Sequence, residues 1–219
     1  MSTPGPRASL WMAGAFLVSL VIAAGTLSHF GAATKGTVTA LQLTARWSYG
    51  FFWLAYTGGP LNTLFGPRFQ PLARRGRVLG LGFASAHLTH AGLVAWLYHI
   101  SPTPPVPASS AIFFGAALGF TYLIALLSIP TLAAALPRWL WRAIVIAGME
   151  LIALAFLRDF LRDPRGHGIA RLVGYLPFTT LAITAALLRI AAYWVKLRGG
   201  ISPSRRAPRP GSRAAAPAP

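Results

Sequence analysis

Six apolar stretches, separated by short polar or basic connections, run along the chain: Leu10 to His29, Trp47 to Phe65, Val78 to Tyr98, Ala111 to Pro130, Trp139 to Phe160 and Ile169 to Trp194. A helix needs about 20 mostly apolar residues to cross a hydrocarbon layer of roughly 30 Å. Strands or loops uncovered in lipid would leave backbone groups unpaired, so helix is the expected local structure of each stretch. The pattern predicts an all-α fold, an integral membrane bundle of six transmembrane helices over residues 9–195, after a short segment 1–8.

The connections read differently from one another. Residues Gly31 to Arg46, with Thr34, Thr37, Thr39 and Thr44, are polar enough to predict a surface loop with a short interfacial turn. Between the third and fourth stretches, Ser101-Pro102-Thr103-Pro104-Pro105-Val106-Pro107 lacks the backbone donors a helix needs and predicts an extended linker. Residues 196–219 are basic and rich in Pro, Ala and Arg, without apolar anchors. They predict a disordered tail held near anionic lipid by its arginines. Arg7 before the first apolar run resembles a signal peptide. The run is long for one and no small-x-small site follows, so an uncleaved anchor is expected.

Composition agrees with the bilayer as solvent: 55% of the 219 residues are hydrophobic and only Glu150, Asp159 and Asp163 are acidic, with mean hydropathy +0.57. The formal charge of +17 invites a nucleic-acid reading, but the basic residues punctuate the spans. Arg7, the group Arg68, Arg74, Arg75 and Arg77, the pair Arg138 and Arg142, and the tail from Lys196 all fall at one face. The positive-inside rule makes that face cytoplasmic, with both termini cytoplasmic and Lys35, Arg46 and the segment from Arg158 to Arg171 outside. The lipid bilayer is thus the first partner, no nucleic acid is expected, and the setting is a multi-pass protein of a plasma (inner) membrane. The preference for Arg over Lys is associated with GC-rich bacterial genomes.

The absence of cysteine excludes disulfides, thiolate-held clusters and covalent haem attachment. Gly80-Leu81-Gly82 is a fragment of a dinucleotide-binding turn, but it lies inside a span and no loop is long enough for a nucleotide-binding domain. The spacings Gly76-x-x-x-Gly80 and Gly115-x-x-x-Gly119 instead predict close helix packing.

Ionisable residues inside spans are costly and mark candidate sites. The third span carries His87 and His90 and the fifth carries Glu150. Counting from Arg77 and Arg142 at about 1.5 Å per residue puts them at comparable depths, so a His–Glu contact is expected as either a cofactor or proton site or a buried hydrogen-bonded pair. His99, beside Trp96 and Tyr98, and His29 end their spans as interfacial residues, and His167 falls in a polar loop. Arg189 lies close enough to the end of its span to snorkel.

Several of these residues together carry a resemblance. Arg46-x-x-x-Gly50 opening the second span, Thr57-x-x-Pro60-Leu61 near its end, Arg74-Arg75 before Leu79-Gly80-Leu81, and His90 beyond them resemble the ferric-reductase-like transmembrane domain family. The nearest likeness is to the haem-binding membrane subunits of bacterial methionine sulfoxide reductase systems. Tyr122 and Ser128-Ile129-Pro130-Thr131 resemble the family's next helix. The resemblance covers about Arg46 to Trp141 and implies a haem b with His90 as axial ligand. His87 is an alternative cofactor ligand, and Arg74, Arg75 and Arg77 are candidates for haem propionates or lipid phosphates. With no flavin or nicotinamide domain read in the sequence, an electron-transfer role would need a quinol or a separate reductase as donor and an external protein as acceptor. The family's second histidine pair, on the fifth span, is missing here, where the candidates are Met149 and Glu150. Two functions therefore follow: an electron-transfer protein with one haem on His90, with Met149 opposite it, or a haem-free membrane protein of the same fold with an assembly, docking or transport role.

Overall fold

The computed structural model describes residues 6–161 and 169–200, and the described residues are helical without any strand. The helices are α1 (Pro6–Phe30), α2 (Thr34–Phe65), α3 (Gln70–Arg74), α4 (Gly76–Ile100), α5 (Ala108–Leu126), α6 (Pro130–Ala134), α7 (Arg138–Leu161) and α8 (Ile169–Gly200). Among the described residues five helices are long and apolar enough to cross a membrane: α1, α4, α5, α7 and α8. Residues 162–168, nearly all of the expected loop and including His167, and the tail from 201 lie outside the described residues. Residues 196–200, expected in the tail, instead extend α8.

The largest departure from expectation is α2, which begins at Thr34 and not at Trp47. Residues 34–46, expected as a loop, are helical. Their threonines return hydroxyls to the backbone, Thr39 to the Lys35 carbonyl at 2.9 Å and Thr44 to that of Ala40 at 2.8 Å. Thr37, Ala40, Thr44 and Ala45 are all buried. The helix is shielded on three sides, packing against α4, α1 and α8. A helix enclosed by others need not present apolar side chains to lipid, which is why its hydropathy is lower than theirs. The turn from α1 requires glycine. Gly31 has φ +81°, and a Cβ on Gly36 would collide with the Gly31 carbonyl.

Hydroxyl and indole groups join the helices at backbone carbonyls. Ser19 donates to Ala86 at 2.8 Å, Ser85 to Met12 at 2.8 Å and Trp47 to Ala15 at 3.0 Å, tying α1 to α4 and α2. On the other side, an aromatic core of Tyr49, Phe52, Tyr56, Phe83, Phe156 and Phe160 joins α2, α4 and α7. The linker over residues 101–107 is non-helical, as its prolines predict. The fourth span ends at Leu126, short of Pro130, because Ile129 takes the extended conformation (ψ 125°) favoured before proline.

The glycines that allow close approach are not the expected ones. A Cβ on Gly148 would lie 2.7 Å from both Phe120 and Ile124, so α7 meets α5 there. Gly82 abuts Phe51, and Gly58 abuts the backbone of Leu72 and Ala73 in α3. Gly80, Gly115 and Gly119 face open space, and Gly76 only touches the Ala55 carbonyl at ordinary distance.

Candidate functional site

The stripe Thr44, Ser48, Phe52, Tyr56 repeats every four residues and forms one buried face of α2. Two polar stations form along it, separated by aromatic rings.

The first station holds both span histidines. His90 Nδ1 lies 3.3 Å from the Thr44 hydroxyl and 3.2 Å from the Leu41 carbonyl, and His87 Nδ1 lies 3.1 Å from the Ser48 hydroxyl. The two imidazoles stack with centroids 4.7 Å apart and planes 21° from parallel. Neither Nε2 makes a hydrogen bond among the described residues, so these are the nitrogens left for other chemistry. Phe83 and Phe156 crowd the His87 ring at 5.1 and 6.0 Å.

The second station is a triad from three helices. Tyr56 of α2 donates to Glu150 Oε2 at 2.6 Å, and Arg189 Nε of α8 donates to Glu150 Oε1 at 2.6 Å. The guanidinium also lies over the Tyr56 ring, 4.5 Å from its centroid. Tyr56 is 2% exposed, whereas the Glu150 side chain is 43% exposed and that of Arg189 18%. The triad floors a groove of about 280 Å³ on the outside of the bundle, walled by Ile146, Ala186, Ile190 and Tyr193. Eight residues of α2 separate Ser48 from Tyr56, about 12 Å along the helix. Phe52 fills that interval, packed on Tyr56 (5.3 Å), Phe83 (5.3 Å) and Phe156 (5.5 Å).

These positions correct several expectations. Glu150 meets neither histidine; its partners are Tyr56 and Arg189. Flanking arginines mark a membrane boundary only to within the reach of their long side chains and the tilt of the helix, so counting inward from Arg77 and Arg142 misjudged the stagger. Arg189 does not snorkel to its helix end but turns into the groove. Arg77 donates to the Ser128 carbonyl just past the end of α5. Arg74 and Arg75 are exposed at the turn before α4. Arg46 sits between α2 and α8, near the start of α8, with its guanidinium 4.7 Å from the Tyr175 ring and 5.4 Å from Phe178.

A haem with two axial ligands needs donors facing each other at one depth. His87 and His90 stack on the same helix face and cannot flank one macrocycle. Met149 precedes Phe156 by seven residues, about 10 Å along α7, while Phe156 is the α7 residue in contact with His87. Met149 packs against the aromatic core, away from His90. The described residues therefore do not fit the implied two-sided ligation. They also hold no group of three or more His, Cys, Asp or Glu suited to a metal ion. Sequence reasoning passed over Tyr56, Thr44, Ser48 and the true role of Arg189. The four-residue repeat of α2 was the available signal for the first three.

Comparison of the chain with family models, curated proteins and solved structures found no match.

Proposed function

We propose that this chain is a six-crossing membrane protein of ferric-reductase-like architecture, in a bacterial plasma membrane with both termini cytoplasmic. In this reading it works without haem and takes a membrane-borne solute into the groove at Tyr56, Glu150 and Arg189. The observation that carries the proposal is the openness of the ion pair within two spans. On a membrane span an uncovered carboxylate and unmet donors would face hydrocarbon, which is costly, so such a pair calls for a polar partner over it. This one keeps its carboxylate 43% exposed on the groove side.

The sixth crossing is α2. It pairs in opposite sense with α4, as the Ser48–His87 and Thr44–His90 contacts require, and returns the chain between α1 and α4. Its 32 residues exceed the length a bilayer needs. Arg68, Arg74, Arg75, Arg138, Arg142, Lys196 and Arg198 gather at the end where α2 and α8 finish and α4 and α7 begin, which supports placing that end in the cytoplasm.

The haem-bearing electron-transfer reading, fed by quinol or a separate reductase and emptied by an external protein, is favoured by one observation. The His90 Nδ1 contact with the Leu41 carbonyl leaves Nε2 as the ligating atom, the arrangement metal-bound histidines adopt. An absorption spectrum of detergent-purified protein from haem-supplemented cells separates the two. The haem-free reading expects no Soret band; a Soret band lost in His90→Ala overturns it.

A further inference from the structure

Arg189 and Glu150 present complementary halves of a hydrogen-bonding pattern to the groove. Only Nε of Arg189 is hydrogen-bonded among the described residues, so the remaining guanidinium N–H donors are unused. None of those nitrogens is both buried and unpartnered, which leaves them facing accessible space. Beside them the half-exposed carboxylate of Glu150 offers lone pairs beyond the two contacts it makes. A donor fork next to a carboxylate acceptor matches a ligand head that both accepts and donates across adjacent atoms. In a low-dielectric site the neutral carboxylic acid is such a head, its C=O accepting from Arg189 and its O–H donating to Glu150. The walls suit an alkyl chain, since Ile146 and Ile190 are 46% and 55% exposed and Tyr193 lends its ring.

We infer that the groove between α7 and α8 binds a long-chain carboxylic acid from the bilayer, with its head on Arg189 and Glu150 and one proton shared between the two carboxyl groups. The inference rests on the proposed reading of this groove as a ligand site. The charge balance follows from the residues facing Glu150. Arg189 supplies one positive charge, Tyr56 and Tyr193 contribute phenols, and beside Gly148, two residues before Glu150, α5 presents the apolar Phe120 and Ile124. Two carboxylates beside one guanidinium would leave net negative charge in hydrocarbon. A ligand arriving as its anion therefore binds together with a proton from water, which Glu150 takes; one arriving as the neutral acid brings that proton itself. Ionisation of both carboxyls is disfavoured in either case.

The test is fluorescence titration of the full chain in detergent micelles with 11-(dansylamino)undecanoic acid and with its methyl ester, which lacks the donor. The wild type is expected to bind the acid at least tenfold more tightly than the ester. Its affinity for the acid should fall about tenfold per pH unit once the free ligand is ionised, because one proton accompanies binding. Glu150→Gln, which keeps partners for Tyr56 and Arg189, should flatten that pH dependence. Arg189→Lys, which keeps the charge but loses the fork, should weaken binding at least tenfold while the protein still unfolds in a cooperative transition. Equal binding of acid and ester, an unaltered pH slope in Glu150→Gln, or no binding by the wild type overturns the inference. A haem spectrum in the same preparation would instead overturn the haem-free reading, so the two failures are told apart.

Discussion

Glu150 and Arg189 each cost more alone in a span than together, so their contact governs the energetics of this part of the bundle. Glu150→Leu strands the guanidinium and Arg189→Met strands the carboxylate, and the double substitution should recover part of the loss. A double-mutant cycle on thermal unfolding in detergent is expected to give a coupling of about 1–2 kcal/mol, the range for polar contacts between membrane helices. Strictly additive losses would mean that the pair contributes nothing. The residues of this site were half legible. A glutamate within a span announces itself by cost, but its partner does not, because an arginine nine residues before the basic end of α8 reads equally well as one that snorkels. Three-dimensional proximity to Tyr56 and Glu150 is what separates the two readings.

At the scale of elements, α2 shows why hydropathy locates some helices better than others. Lipid-facing helices must be apolar on their outer side, so α1, α4, α5, α7 and α8 stand out by composition. The helix they enclose can carry Thr37, Thr44, Ser48 and Tyr49 in its interior-facing stripe, each partnered within the protein or packed on it, and its first turns resemble a loop. Glycine spacing was a poor guide for a related reason: a small residue permits close approach but does not say whether a neighbour is present. Gly148→Leu should wedge α7 from Phe120 and Ile124 and destabilise the protein by about 1–3 kcal/mol. Gly119→Leu, at an open position of α5, should stay within about 0.5 kcal/mol of wild type. Thermal unfolding of the two variants side by side checks the assignment; an equal loss at both would place an unrecognised neighbour on the open face of α5.

For the whole molecule, the proposed topology makes opposite predictions for the two ends of α2. The chain has no native cysteine, so a single introduced thiol reports unambiguously. Lys35→Cys, exposed at the start of α2, should react with an impermeant maleimide added to intact spheroplasts. Arg75→Cys, exposed beyond its end, should react only after lysis. Labelling of both from the same side would mean that α2 does not cross, leaving five spans. The bundle itself divides into a hydroxyl-linked side, where α1, α2 and α4 meet through carbonyl contacts, and an aromatic side, where α2, α7 and α8 contribute the triad at the open groove. The histidine station lies on α4 at the boundary of the two.

The sequence by itself determined that the chain is helical and built for a bilayer, where its connecting linker breaks, and which few residues are ionisable inside the spans. Those properties follow from transfer free energy and backbone hydrogen bonding, which act along the chain one segment at a time. Only the tertiary structure decided that α2 is the central helix, that Glu150 belongs with Arg189 and Tyr56 instead of the histidines, and that Met149 and His90 do not face each other. Those outcomes depend on the stagger and rotation of one helix against another. They are set by the fit of side chains such as Phe52, Phe83 and Phe156 between helices, and no periodicity within a single segment records that fit.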